Sequence, residues 1–198
     1  MEQAIDLYCQ SSRLLYAARA RKSIAEMYEQ DGELTLAAKS YQEAADLFSA
    51  ENDNTSNYNT MLLKVAELNT LKADPEYIEA IQIYEKVADK YLENRLTAPS
   101  AKELFFKASL LYMANDDVIG AEKGMDMYRD KDPAYGSTRE YKFSVSVIKA
   151  INEMNVQEFS DACYDFNSII PLDKWKTNVL SKIKSTIKPQ MTEDIGVL

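Results

Sequence analysis

Histidine is absent from all 198 residues. That omission removes the commonest general base and the commonest imidazole ligand for transition metals. Cysteine occurs only at Cys9 and Cys163. Two thiols so far apart make neither a zinc signature nor a disulfide framework, and they read as reduced, buried thiols of a cytosolic chain. Glycine and proline number five each, and so few breakers favour helix over sheet. No run approaches the roughly 18 apolar residues needed to cross a bilayer. The opening MEQAIDLYCQ has neither the basic start nor the apolar stretch of a signal peptide. GAEKG (120–124) is glycine-spaced but lacks the Gly-Lys-Ser/Thr ending that grips phosphate. DKDPAYG (130–136) has two acids at calcium-loop spacing, yet Ala134 stands at the third ligand position. Asn54-Thr55-Ser56 fits a glycosylation sequon and reads as a polar loop. No catalytic residue, metal site or cofactor is therefore expected, and the chain reads as a non-enzyme.

What is present points to helices. Hydrophobic residues make up 46% and charged residues 28%, a soluble balance rich in Ala, Leu, Glu, Lys and Tyr. The net charge of −9 argues against general affinity for nucleic acid, since phosphate binding is largely a Lys and Arg effect. The charge is uneven: residues 173–188 hold five lysines and one acid, and MTEDIGVL then turns acidic.

An internal repeat organises the chain. A small residue stands four before an aromatic at Ala4…Tyr8, Ala37…Tyr41, Ala80…Tyr84, Gly124…Tyr128 and Ala162…Phe166, with 33, 43, 44 and 38 residues between successive aromatics. One helical turn separates each pair, so both members share a face. The small residue admits a neighbouring helix and the aromatic fills the next gap along the groove. Partner helices precede two of these elements, with Ala25 and Tyr28 in one and Ala150 in the other. Turns are expected at QDGE (30–33), ADPE (73–76), AND (114–116) and NEMN (152–155), and polar or proline-bearing linkers at 49–57, 92–100 and 130–138.

The pattern predicts an all-α fold: a right-handed, tetratricopeptide-like α-solenoid of antiparallel helical hairpins over residues 1–170. A capping helix follows over 171–188, with Leu172, Trp175, Val179, Ile183 and Ile187 as its apolar stripe and its lysines opposite, and then a tail over 189–198. An ordinary helical bundle is the alternative, which the recurrence of the pattern disfavours.

The runs SIAEMYEQDGELTLAAKSYQEAADLFSAENDNTSNYNTMLLKVAEL (23–68), EAIQIYEKVADKYL (79–92), SAKELFFKASLLYMAND (100–116) and YDFNSIIPLDKWKTNVLSKIKSTI (164–187) resemble the alpha-type soluble NSF attachment proteins. SAKxxFFKA and the LDxW…IKxTI block are the specific motifs. The resemblance implies an adaptor rather than an enzyme. Its concave face would grip a SNARE four-helix bundle, syntaxin-like SNAREs included, and its C-terminal end would recruit and stimulate the NSF/Sec18-type ATPase for SNARE disassembly in vesicle fusion and intracellular protein transport. It would be cytoplasmic and peripheral on membranes through SNARE complexes. No cofactor is implied.

By the same resemblance, Arg19, Lys64, Lys102 and Arg139 form the SNARE-binding basic face, while Thr60 replaces a further lysine of that face. Asp116, Glu153, Glu193 and Asp194 are the ATPase-binding acids, with Lys149 and Asn152 standing where the family has acids. Ile195 and Leu198 are the ATPase-stimulating apolar residues of the tail. The family's N-terminal part, including an exposed hydrophobic loop that touches membrane, has no counterpart here. AIDLY (4–8) accordingly reads as the second helix of a hairpin without its first, which leaves Leu7 and Tyr8 short of packing, and weak membrane binding is expected. A tetratricopeptide-type scaffold for another peptide is the competing reading; it needs a carboxylate clamp of clustered Lys and Asn, for which no clear set stands in the sequence.

Overall fold

The structure, a computed structural model, describes residues 2–50 and 55–187. Among them are ten α-helices and no strand. The chain divides into two compact units between Leu111 and Tyr112. The first holds α1 (Glu2–Gln10), α2 (Leu14–Gln30), α3 (Leu34–Ser49), α4 (Thr55–Asn69), α5 (Tyr77–Leu92) and most of α6 (Ala98–Ala114). The second holds the end of α6, α7 (Val118–Lys131), a 3-10 turn (Tyr135–Ser137), α8 (Arg139–Asn152), α9 (Val156–Asn167) and α10 (Lys174–Thr186). Consecutive helices pack against each other, α2 on α3, α3 on α4, α4 on α5, and α8 on α9. This is the hairpin stacking expected of an α-solenoid.

The hairpin turns share one backbone solution. After α2, α6 and α8 a single residue enters the left-handed region: Gly32 at φ 79°, Asp116 at 59° and Met154 at 49°. Each closes the same pair of bonds. The N–H of Gly32 donates to the Glu29 carbonyl and that of Glu33 to Tyr28; Asp116 and Asp117 do the same to Met113 and Tyr112, and Met154 and Asn155 to Ile151 and Ala150. These are Schellman closures, which satisfy carbonyls that the helix end would otherwise leave open. The following residue starts the next helix, and the Asp117 and Asn155 side chains accept backbone N–H groups there as N-caps. The same turn also joins α1 to α2 through Ser12 at φ 55°. The turn expected at 73–76 is longer, because α4 ends at Asn69, whose carbonyl accepts the Glu76 N–H.

The small–aromatic pairs fall on the second helices. Ala37 with Tyr41, Ala80 with Tyr84 and Gly124 with Tyr128 are buried. Gly124 is small by necessity: a Cβ there would lie 3.2 Å from the Tyr128 hydroxyl and 3.3 Å from the Tyr112 ring. At the ends the pattern loosens. Ala4 is exposed and Tyr8 half-buried, and Leu7 is 63% exposed, while Ile5 alone of α1 is buried. In the second unit, Tyr128, Tyr135 and Tyr141 pack edge to face, and Phe143 of α8 meets Phe166 of α9 with ring centres 4.5 Å apart. Trp175, Val179, Leu180, Ile183 and Ile187 bury the inner side of α10.

Two expectations need correction. The cysteines are not both buried: Cys9 is exposed near the end of α1, where Ile5 alone is buried, and Cys163, one turn from Phe159, is only half-buried on α9, because little packs over either position. Nor do all the terminal lysines face outward. Lys176 is buried beside Trp175, with its ammonium 3.0 Å from the Asp173 carboxylate that also caps the helix.

Candidate functional site

In the first unit the cationic candidates fall on the first helix of successive hairpins: Arg19 on α2, Lys64 on α4 and Lys102 on α6. Arg19 and Lys102 are exposed. Lys64 is not an isolated charge. Its ammonium donates to Glu29 of α2 at 2.7 Å, and the other oxygen of the same carboxylate accepts the Tyr41 hydroxyl of α3, also at 2.7 Å. Three helices thus converge on one carboxylate. Burial alone would raise the Glu29 pKa, but the bonds from Lys64 and Tyr41 outweigh it and hold the carboxyl below its ordinary value. Burial, and next the hydrogen bond to Glu29, drive the Tyr41 hydroxyl well above its ordinary value. One hairpin further on, Lys107 of α6 reaches Glu67 of α4 at 3.4 Å and lies over the Tyr84 ring of α5. Lysine-to-glutamate bridges therefore tie α4 to α2 and α6 to α4.

The basic positions form a line rather than a cluster. Arg19 precedes Glu29 by ten residues on one helix, about 15 Å along its axis. Thr60 is exposed and its hydroxyl turns back to the Ser56 carbonyl. Among nearby basic residues, Lys22 pairs with Glu26, and Arg21 with Glu2 and Glu43.

In the second unit Arg139 is exposed in the first turn of α8. It borders a groove of about 190 Å³ between α8 and α9, together with Lys142, Phe143, Asp165, Phe166 and Ile169. Asp116 and Glu153 are both exposed, and both belong to the Schellman turns. Helices α7 and α8 run antiparallel, with Arg129 against Tyr141 at one end and Glu122 near Ile148 at the other. The turn holding Asp116 and the turn holding Glu153 therefore lie at the same end of the unit. Lys149 stands between acids there, 3.7 Å from Glu153 and 3.3 Å from Glu158. The bond to Glu158, and then the Glu153 charge, raise its pKa. Asn152 is exposed beside them. Glu193, Asp194, Ile195 and Leu198 lie outside the described residues.

The glycines of GAEKG have packing roles on α7: Gly120 abuts the Asp117 cap, and Gly124 abuts two tyrosines. The Asp132 carboxylate in DKDPAYG accepts the Ala134 N–H. Among the described residues no group of three His, Cys, Asp or Glu side chains is placed to hold a metal ion, and no helix is long and apolar enough to cross a membrane. Glu29, Glu67 and Glu158 escaped the sequence reading, because each acts on a lysine contributed by another helix.

Stacked hairpins with lines of exposed charge define a helical-repeat scaffold of the kind that presents faces to other proteins. The chain matches the family model described as "Soluble NSF attachment protein, SNAP" over residues 1–188, and it belongs to that family. It is 40% identical to the alpha-soluble NSF attachment protein of Dictyostelium discoideum over 98% of this chain and 66% of that protein. Identity to the alpha-soluble NSF attachment protein of Homo sapiens is 35%, over 94% of this chain and 62% of that protein. For the alpha-soluble NSF attachment protein of Saccharomyces cerevisiae it is 31%, over 96% and 64%. The chain thus spans a little under two thirds of the length of these relatives.

Proposed function

We propose that this chain is a non-enzymatic adaptor that binds assembled SNARE complexes and attaches an NSF-type ATPase to them for disassembly, acting in the cytoplasm at membrane-bound SNAREs. The observation that carries this reading is the family match over residues 1–188. Its geometry suits the role. Arg19, Lys64 and Lys102 sit on successive first helices, Arg139 is exposed on α8, and Asp116 and Glu153 share one end of the second unit. The basic residues are assigned to the acidic SNARE bundle. Asp116 and Glu153, with Glu193 and Asp194, are assigned to the ATPase, and Ile195 and Leu198 to its stimulation. Exposed ion pairs are individually weak, so the basic line acts mainly by orienting and accelerating docking.

The test is a pull-down of this chain by an assembled SNARE bundle across a salt series. Binding at low salt that weakens as salt rises is expected. The double charge reversal Lys102→Glu with Arg139→Glu should weaken it strongly. Binding that ignores both salt and the reversals would remove the assigned face, and no binding at low salt would remove the adaptor reading.

A further inference from the structure

The Glu29–Tyr41–Lys64 arrangement does more than neutralise a charge. Tyr41 is 1% exposed, so its hydroxyl is a fixed donor, and it fixes one oxygen of Glu29. The other oxygen receives the Lys64 ammonium across 35 residues of sequence. An ammonium has three donors, and only one is spent on Glu29. The Lys64 side chain remains 38% exposed, at an open groove of about 390 Å³ lined also by Glu26 and Gln30. The nearby Glu26 is itself paired with Lys22, at 3.5 Å. The lysine head is therefore held in place with donors to spare, yet to a distant acid it belongs to a pair without net charge.

We propose that Glu29 divides the work of the basic face. It cancels the long-range pull of Lys64, leaving attraction to exposed charges such as Arg19, and it fixes Lys64 as a short-range directed donor to an acidic side chain of the docked helical bundle. This inference rests on the adaptor reading. It assigns Glu29 and Tyr41 as positioning residues for Lys64. Preorganised donors lose less freedom on binding, and that advantage is read mainly in how long a complex lasts. Steering depends on summed charge and is read in the association rate.

The experiment measures association and dissociation rates of the chain with an assembled SNARE bundle at low salt. One unit charge about 7 Å from another in water is worth close to the thermal energy, a factor of about three in rate. Glu29→Gln should speed association about threefold, and Lys64→Gln should slow it about threefold. The double variant restores the charge balance. It should associate like wild type but dissociate about ten- to a hundredfold faster, the worth of one charge-assisted hydrogen bond. Tyr41→Phe, which leaves the charge alone, should keep the association rate and speed dissociation; it also serves if Glu29→Gln folds poorly by circular dichroism. A double variant that stays as slow to associate as Lys64→Gln would overturn the inference while leaving the adaptor reading intact. So would a Tyr41→Phe complex that lasts as long as wild type. A wild-type chain that does not associate at all would overturn both.

Discussion

Gly124→Ala sets two physical effects against each other inside α7. Helix propensity alone favours alanine over glycine by about 1 kcal/mol in a helix interior. Packing opposes it. The new methyl would meet the Tyr128 hydroxyl at 3.2 Å, the Tyr112 ring at 3.3 Å and the Tyr128 ring at 3.4 Å. The Tyr128 ring has little room to withdraw, because it is fully buried and abuts Tyr135, which is itself fully buried against Tyr141. Overfilling such a site costs about 1–3 kcal/mol, so packing should win by about 1 kcal/mol. In a chain of this size that lowers the midpoint of thermal unfolding by about 2–4 °C, read by circular dichroism or calorimetry. Tyr128→Phe removes the nearest atom, so alanine at 124 should cost less in that background. The cycle of the two changes isolates their coupling from any other loss that Tyr128→Phe brings. A midpoint that rises in Gly124→Ala would mean that propensity governs the site. The reading of the small–aromatic pair as close helix packing would then be wrong for this hairpin.

Gly32→Ala tests the turn alone, since nothing lies within 4 Å of the new Cβ. The left-handed backbone costs a non-glycine residue about 1–2 kcal/mol, partly offset by about 0.4–1 kcal/mol from a less flexible unfolded chain, so a small loss is expected in urea unfolding. For Glu29 the folded carboxyl is held below its ordinary value. Its contribution to stability is therefore present above about pH 4.5 and lost as pH falls through the folded pKa; the stability gap between wild type and Glu29→Gln should close on acidification, and a constant gap would contradict this. Cys9 is exposed, whereas burial, only partly countered by Lys184, pushes the Cys163 thiol up to about 11. At pH 8 a thiol reagent should label Cys9 quickly and Cys163 slowly; equal rates in the folded chain would refute that placement. On the proposed adaptor reading, Lys149→Gln should strengthen docking of the ATPase at low salt by releasing Glu153 and Glu158, and unchanged docking would remove the acids of this turn from that proposed face.

The repeat was legible because its signal is local. A small residue and an aromatic one turn apart mark a face within a single helix, and the pairs at Ala37–Tyr41, Ala80–Tyr84 and Gly124–Tyr128 are buried as that spacing requires. The turns at 114–116 and 152–155 were legible from their polar residues. What the spelling hid is that they share one geometry with Gly32, for Asp116 and Met154 stand at the left-handed position where glycine is the usual marker. The join of α1 to α2 was missed for the same reason, since Ser12 does not announce such a turn. The exposure of Cys9 and the burial of Lys176 were hidden too. Cysteine is buried as a matter of average, and lysine exposed, but what packs against the particular position decides.

The charged faces were the least legible, and the reason lies in how the two helices of each hairpin divide their duties. The second helices carry the small–aromatic pairs because they are packed closely, and close packing imposes a period on sequence. α3, for example, buries Ala37, Ala38, Ser40, Tyr41, Ala44, Ala45 and Phe48. The first helices of the first unit carry Arg19, Lys64 and Lys102 on surfaces where no period is imposed. Composition and spacing leave those lysines and arginines indistinguishable from other solvated charge, and resemblance to a family singles them out only as residue types. Whether a lysine acts as a free charge depends on acids contributed by other helices. Glu29 reaches Lys64 from 35 positions away, and Lys149 answers to Glu158 on the next helix. The same lysine is thus an attracting charge or a positioned donor according to its partner, and only the stacked hairpins bring that partner into reach.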